Sequence, residues 1–164
     1  MNSADVEKIV RGAVKEALSE ASVDKYESVT LAAAQILCKK VLEAADKIGL
    51  RAIVAVSDAG GNPVAVMRAD GAIIASYDIA LNKSYTAVAL KMPTSKLAEL
   101  AAPGGSLYGL QHTNGGKIVI FGGGEPLLKG GKVVGGLGVS GGTLEEDTAL
   151  ASVGKKYWED VLCR

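Results

Sequence analysis

The chain has 164 residues, of which 18 are basic and 18 acidic, so its formal net charge is zero. This length fits one domain, and the balanced charge argues against nucleic-acid binding, which needs a basic surface. No apolar run reaches the length of a membrane span, and no signal-peptide pattern opens the chain. The two distant cysteines, Cys38 and Cys163, are typical of reduced intracellular thiols. We therefore expect a cytoplasmic protein without nucleic-acid or membrane partners.

Small apolar residues dominate the composition. Hydrophobic residues make up 48% of the chain, but aromatic residues make up only 4%. Small side chains allow helices to pack closely on a sheet, yet they give a monomer few large anchors for its core. Apolar faces of this kind commonly pack on a copy of themselves, so we expect a symmetric homo-oligomer.

The first 18 residues carry the pattern of an amphipathic helix. Apolar side chains recur at three- and four-residue spacing along residues 3–18, and Ser3 is the candidate N-cap. The polar residues 19–29 predict a linker, and residues 30–164 form the main domain. The apolar stripe has two interpretations: it packs on its own domain or on a neighbouring subunit, or it binds a groove on a partner protein.

Four helical patterns lie within the main domain. The first covers residues 30–48 and is followed by Gly49, which suits the left-handed position after a helix end. The second covers residues 75–90, and Pro93 separates it from a short third helix. The last helix is predicted over residues 143–162.

Five strands are predicted between these helices. Two flank a glycine-containing turn at residues 58–62, and three lie in the stretches KIVIF, PLLK and KVVGGLGVS. The last two strands are joined by Gly130 and Gly131. Because hairpins connect consecutive strands, the pattern predicts an α+β fold with a five-stranded, mainly antiparallel sheet and flanking helices.

Glycines are concentrated in the C-terminal half of the chain. Twelve of the 21 glycines fall between Gly115 and Gly142, and the segment from Gly136 to Gly141 has the spacing G-x-G-x-x-G. A dinucleotide site of this type needs a second parallel strand after the following helix, and no strand pattern follows that helix here. We interpret the glycines as turns and as positions of close backbone approach within a strand. In a second hypothesis, the helix start after Gly142 binds a ligand carboxylate.

Four segments, in this order, resemble the GlcG/HbpS-like family, which includes the C-terminal domain of PduO-type proteins of propanediol-utilisation operons. They are SDAGGNPVAVMRADGA, ALNKSYTAVAL, GKIVIFGGGEPL and GGLGVSGGTLEED, and the likeness covers residues 30–162. The resemblance implies a five-stranded antiparallel sheet in profilin-like α-β-α layers, commonly assembled into oligomers. It also implies a haem- or tetrapyrrole-binding accessory or sensor role.

The resemblance directs attention to side chains that can ligate haem iron, which are His, Cys, Met and Tyr. His112 is the only histidine and is the first candidate for the iron ligand, although it lies outside the four matched segments. Met67 and Tyr108 are further candidates, with packing in the core and in a loop as their alternative interpretations. In PduO-type members we look for a histidine in the helix that starts near Thr30, and this chain has none there.

The predicted cofactor site also includes four residues of the matched segments: Arg68, Lys83, Gly138 and Gly141. Lys83 could neutralise an anionic group of a ligand. Its alternative interpretation is an ion pair with Asp58 or Asp70 that fixes a helix against the first hairpin. Residues 68–71 are interpreted as a turn whose Asp70 caps the next helix.

Two further functional hypotheses follow. The chain could be an enzyme that acts on an organic acid or aldehyde, with Lys83 and Asp58 in proton transfer. No catalytic triad can be assembled around the single histidine, so an enzymatic role would depend on Lys83 and Asp58. Residues 1–18 are similar to the encapsulation peptides that direct cargo into bacterial microcompartments. That similarity implies a shell-protein partner and a location in the microcompartment lumen.

Overall fold

A computed structural model of the chain describes residues 27–163. The helix predicted over residues 3–18 and most of the linker predicted over residues 19–29 lie outside the described part of the chain. Near the start of the described residues, Val29 donates a backbone hydrogen bond to the carbonyl of Val134 at 2.8 Å. This bond ties Val29 to the C-terminal half of the chain.

Four strands form one antiparallel sheet. They are β1 (Ile53–Asp58), β2 (Pro63–Arg68), β3 (Gly124–Lys129) and β4 (Lys132–Ser140). Their spatial order is β2-β1-β4-β3, and every neighbouring pair is antiparallel. The two hairpin turns predicted from sequence are both present, and they join β1 to β2 and β3 to β4. Strand β4 is the longest and lies at the centre beside β1.

The prediction of a fifth strand at KIVIF is wrong, because these described residues form no strand. Residues 117–121 pass beside a helix instead of joining the sheet. The backbone amide of Val119 donates to the hydroxyl of Thr86 at 3.0 Å, so a side chain takes the place of a neighbouring strand. Ile118 and Val119 are buried there. The apolar residues of this segment therefore pack against a helix. In the sequence, such a short apolar run cannot be distinguished from a strand.

Four α-helices surround the sheet: α1 (Leu31–Lys47), α2 (Ser76–Leu90), α3 (Thr94–Leu100) and α4 (Leu144–Tyr157). All four were predicted. The last helix continues in a wider turn over Trp158–Leu162. The α+β class is thus confirmed, with four strands in place of five.

Helix α1 illustrates how local sequence sets an element's ends. The hydroxyl of Thr30 accepts a hydrogen bond from the amide of Ala33, which satisfies one of the free donors of the first turn. Gly49, just past the helix end, has a φ of 72°. Glycine reaches this left-handed conformation without steric cost, so the chain can turn from α1 into β1.

Helices cover both faces of the sheet. Helices α1 and α4 pack on one face, where the main core contains Leu37, Val54, Leu137 and Trp158. Helix α2 packs on the other face, where a smaller cluster includes Ile53, Ala55, Ala72 and Ala80. These layers place α2 directly over the glycines of β4.

Two glycines of β4 allow α2 to lie unusually close to the sheet. A β-carbon on Gly136 would overlap the carbonyl oxygen of Ser84, and one on Gly138 would overlap the carbonyl oxygen of Ala80. The interpretation of close backbone approach is therefore confirmed. The described sheet contains no parallel pair of strands, so the G-x-G-x-x-G spacing here serves helix–sheet packing and not a dinucleotide fold.

The proposed cap of helix α2 is wrong. Its N-cap position is Ala75, and no side chain bonds to the first-turn amides. Asp70 is exposed in the preceding turn. The turn is held by Arg68, whose Nη2 donates to the carbonyl of Ala72 at 2.6 Å.

Candidate functional site

A buried ion pair joins α2 to α4. The ammonium of Lys83 lies 2.7 Å from Oδ2 of Asp147, and the two side chains are 0% and 6% exposed. Lys83 also donates to the carbonyl oxygen of Val139 at 2.8 Å, near the end of β4. Lys83 is therefore connected to α4 and β4, and the predicted pairing with Asp58 or Asp70 is wrong.

The partner of Lys83 could have been found from helical periodicity. Asp147 shares the buried face of α4 with Leu150, Ala151 and Gly154, at spacings of three, four and seven residues. A carboxylate on a buried stripe needs a cationic or hydrogen-bonding partner.

Asp58 is engaged elsewhere. Its Oδ1 accepts from the amides of Gly60 and Asn62, both at 2.8 Å, and its carboxylate also contacts the side-chain amide of Asn62. These bonds hold the β1–β2 turn. Because Asp58 and Lys83 have separate partners, the structure gives no support to a proton-transfer pair made of these two residues.

The start of α4 is occupied by the chain's own side chains. The amide of Gly142 donates to Oδ1 of Asp147 at 3.0 Å. Thr143 and Glu146 form a reciprocal capping box, in which each side chain accepts from the other's amide. Gly141 packs against the backbone of Arg51. The amides of Gly142, Thr143 and Glu146 therefore already have acceptors within the chain.

The triple glycine of residues 122–124 makes room for the lysine. A β-carbon on Gly123 would lie 2.6 Å from the Lys83 ammonium, and Gly123 has a φ of 108°. The ring of Phe121 covers the same ammonium, with 5.1 Å between the nitrogen and the ring centroid. Burial lowers the pKa of Lys83, and the hydrogen bond and charge of Asp147 oppose that change.

An apolar cleft of about 420 Å³ lies between α3 and the first turns of α4. Gly122, which directly follows Phe121 in sequence, is one of its lining residues. Glu145 is the single charged residue of its lining, which comprises Ser95, Ala98, Gly122, Leu144, Glu145, Thr148 and Ala149. The lining contains none of the side chains that ligate haem iron, and its only charge repels a propionate.

The predicted iron donors lie apart from this cleft. His112 is exposed in a short turn, Leu110–His112, and its Nε2 is 3.4 Å from Nε2 of Gln111. Tyr108, four residues earlier, is 67% exposed. Met67 is half-buried in β2 and packs against the main core. Of the three candidates, His112 and Tyr108 therefore present their donor groups at the surface.

The other members of the predicted site do not gather around His112. Gly138 lies under α2, Gly141 lies at the start of α4, and Lys83 is held by Asp147. Arg68 is exposed at the end of β2. Within residues 27–163, no three His, Cys, Asp or Glu side chains are grouped as metal ligands would be. No helix in this part of the chain has the length and apolarity to span a membrane.

A family model described as haem degrading protein HbpS-like matches residues 29–156. The chain is 48% identical over 124 residues to an uncharacterised 15.0 kDa protein of Citrobacter freundii from the dhaT–dhaS intergenic region, covering 76% of this chain and 87% of that one. It is 38% identical over 115 residues to the corrinoid adenosyltransferase PduO of Salmonella typhimurium, covering 70% of this chain. The match spans about a third, 34%, of PduO.

Solved structures resemble the fold closely. A crystal structure of a PduOC–haem complex matches with a TM-score of 0.76 and 34% identity, over 79% of this chain and 94% of that chain. A crystal structure of HbpS matches with a TM-score of 0.73 and 35% identity, over 79% and 89% of the two chains. At 34% and 35% identity, both structures are similar to this chain in sequence as well as in fold.

Proposed function

Because the chain belongs to the HbpS-like family, we propose that it is a haem-binding protein. The observation that carries the proposal is the likeness to the PduOC–haem complex, which extends over most of both chains. The HbpS-like description of the matched family supports the same ligand. Bound haem would supply a redox-active iron. The chain's own residues would hold the porphyrin and provide the axial ligand to the iron.

His112 is the proposed axial ligand. An imidazole nitrogen is a common donor to haem iron, and this ring is exposed with only a long contact to Gln111. The apolar cleft beside α4 offers no donor, and Lys83 is already paired. The donor chemistry therefore fits a haem bound at the surface turn of residues 108–112, where the exposed ring of Tyr108 can contact the porphyrin face.

Titration with haemin, followed by absorption, tests this function. We expect the wild-type protein to shift the Soret band saturably, and His112→Ala to abolish the shift. Tyr108→Phe keeps the ring and removes the phenol oxygen, and Met67→Leu keeps the apolar volume, so both should bind as the wild type does. Spectra of free haemin throughout the wild-type titration would exclude haem binding. A shift that persists in His112→Ala would exclude only the proposed ligand.

We further propose that the protein assembles with copies of itself. Ile73 and Ile74, between β2 and α2, are 63% and 85% exposed, and Tyr77, in the first turn of α2, is 43% exposed. An apolar patch of this kind on a protein with few aromatic residues supports self-association. Sedimentation equilibrium should give a mass above that of one 16.7 kDa chain. Ile74→Asp should shift the equilibrium toward the monomer.

Residues 1–18 are proposed to direct the chain into a bacterial microcompartment. The amphipathic sequence pattern and the similarity to PduO support this role. A fusion of residues 1–22 to a fluorescent protein should form puncta in cells that make shells. A fusion with Val10→Glu and Val14→Glu, which charges the apolar stripe, should stay diffuse. Diffuse fluorescence of the unaltered fusion would contradict the proposal.

A further inference from the structure

A second cavity, of about 220 Å³, lies between the β1–β2 turn and α2. Its lining is Gly61, Pro63, Leu81, Asn82, Tyr85 and Lys117, none of which lines the cleft beside α4. The cavity is smaller than the roughly 300 Å³ at which drug-sized pockets begin. It would therefore hold a molecule of only a few carbon atoms.

Tyr85 is fixed at one wall of this cavity. Gly61 has a φ of 79°, and a β-carbon there would lie 2.9 Å from the Tyr85 ring, so the absence of a side chain lets the ring lie against the turn. The phenol oxygen accepts from Nδ2 of Asn114 at 3.2 Å. Since the oxygen already acts as acceptor to Asn114, its own proton is available to donate to a ligand.

Lys117 reaches the cavity through a constrained loop. Asn114, Gly115 and Gly116 have φ values of 51°, 65° and 78°, three left-handed residues in succession. Such a run is costly for a non-glycine residue, and it ends directly before Lys117. The ammonium of Lys117 then lies 5.7 Å from the centroid of the Tyr85 ring. Among residues 27–163, no carboxylate lies within ion-pair distance of Lys117.

Asn82 completes a set of three donors. Asn82 is a lining residue of the cavity, and its side-chain amide makes no hydrogen bond within the described chain. The acidic residue of the adjoining turn, Asp58, has its carboxylate engaged by Gly60 and Asn62. Lys117, Tyr85 and Asn82, three residues whose side chains carry hydrogen-bond donors, therefore line one small cavity.

We propose that this cavity binds a short aliphatic carboxylate. The ammonium of Lys117 neutralises the carboxylate, and the phenol of Tyr85 and the amide of Asn82 donate to its oxygens. The hydrocarbon end packs against Leu81 and Pro63, which supply the apolar wall. This site is separate from the surface turn proposed for haem and does not depend on it.

Amide chemical shifts, measured by NMR during titration with propionate or butyrate, test the site. We expect saturable shifts at Gly61, Asn82 and Gly116, and none with the neutral 1-propanol. Lys117→Gln should weaken binding about tenfold, and Tyr85→Phe about fivefold, as expected for a charged and a neutral hydrogen bond. Lys96→Gln, which removes an exposed charge from α3, is the matched control and should bind as the wild type does.

The inference would be overturned by the absence of saturable shifts in the wild-type protein, by equal binding of 1-propanol, or by unchanged binding by Lys117→Gln. Inorganic phosphate that binds as tightly as butyrate would also contradict a carboxylate site, because phosphate has no apolar part to contact Leu81. His112→Ala should leave carboxylate binding intact, so loss of haem binding and loss of carboxylate binding can be told apart.

Discussion

Lys83 and Asp147 are 64 residues apart in sequence, yet their charged groups meet at 2.7 Å in the interior. The pair joins α2, which lies on one face of the sheet, to α4 on the other side of β4. It also lies beneath Gly123 and Phe121, in the segment that leads to the apolar cleft. The buried pair thus connects α4 to the end of the sheet, next to the segment that leads to the cleft.

Removing one partner of this ion pair should destabilise the folded protein. Asp147→Asn leaves an ammonium buried without a counter-charge, and we expect the free energy of unfolding to fall by about 3 kcal/mol. Urea unfolding can be followed by the fluorescence of the single tryptophan, Trp158, which is fully buried. The double variant Lys83→Met with Asp147→Leu should recover most of the loss.

Glu145→Gln provides the control for the ion pair. Glu145 lies in the same first turn of α4 but is exposed. Its substitution should therefore change the free energy of unfolding by no more than about 0.5 kcal/mol. A comparably small effect of Asp147→Asn would show that the buried pair does not stabilise the fold.

The buried lysine should make stability depend on pH. The pKa of Lys83 is lowered in the fold from its ordinary 10.5, chiefly by burial, so between the two values the unfolded chain binds more protons. Stability therefore rises with pH in that window, because the cost of burying the charge disappears. Relative to Lys83→Met at each pH, the wild-type free energy of unfolding should increase toward pH 10.5. A constant difference would contradict the lowered pKa.

Cys38 should be unreactive in the folded protein. Burial raises the pKa of its thiol from 9.0 to about 12, so almost no thiolate exists near neutral pH. In the Cys163→Ser background, a thiol reagent should react with Cys38 only after unfolding in urea. Rapid labelling without denaturant would show that the interface between α1 and β1 opens. The raised pKa also predicts that stability contributed by Cys38 is lost as pH rises above 9.0.

Gly138→Ala should destabilise the protein by about 3 kcal/mol or more, since the added methyl group overlaps the backbone of α2 at Ala80. Gly49→Ala is the matched control. Gly49 has positive φ but open space around its β-carbon position, so alanine there should cost only about 1 kcal/mol of backbone strain. Chemical unfolding gives the free energy of unfolding of both variants. The difference distinguishes the cost of a steric overlap with α2 from the cost of backbone strain in a turn. Equal losses would contradict the packing role of Gly138.

Local signals in the sequence predicted most of the secondary structure. Thr30 and Gly49 mark the ends of α1, and the glycines of the two hairpin turns mark the strand pairs, because caps and turns depend on a few adjacent residues. The prediction of the fifth strand failed because the largely apolar residues 117–121 have Thr86 on a helix as their neighbour. Which surface an apolar segment packs on is a tertiary property.

The candidate site was harder to predict for the same reason. The ion pair of Lys83 depends on how two distant helices pack across the sheet, and Asp58 and Asp70 are closer in sequence than its real partner. The second cavity also depends on tertiary contacts, since Tyr85 and Lys117 come together only through the left-handed turn before Lys117. Sequence identified His112 as the sole histidine and placed it in a loop, and the structure shows that its ring is exposed.

Ligation of haem by His112 is tested most directly by chemical rescue. In His112→Gly, free imidazole can take the place of the missing side chain at the iron, whereas a merely structural role of His112 would not respond to imidazole. The reference is haemin with imidazole and no protein. The account predicts that His112→Gly lacks the wild-type Soret band and regains it, bound to the protein through gel filtration, when imidazole is added. A variant that shows the wild-type band without imidazole would contradict it.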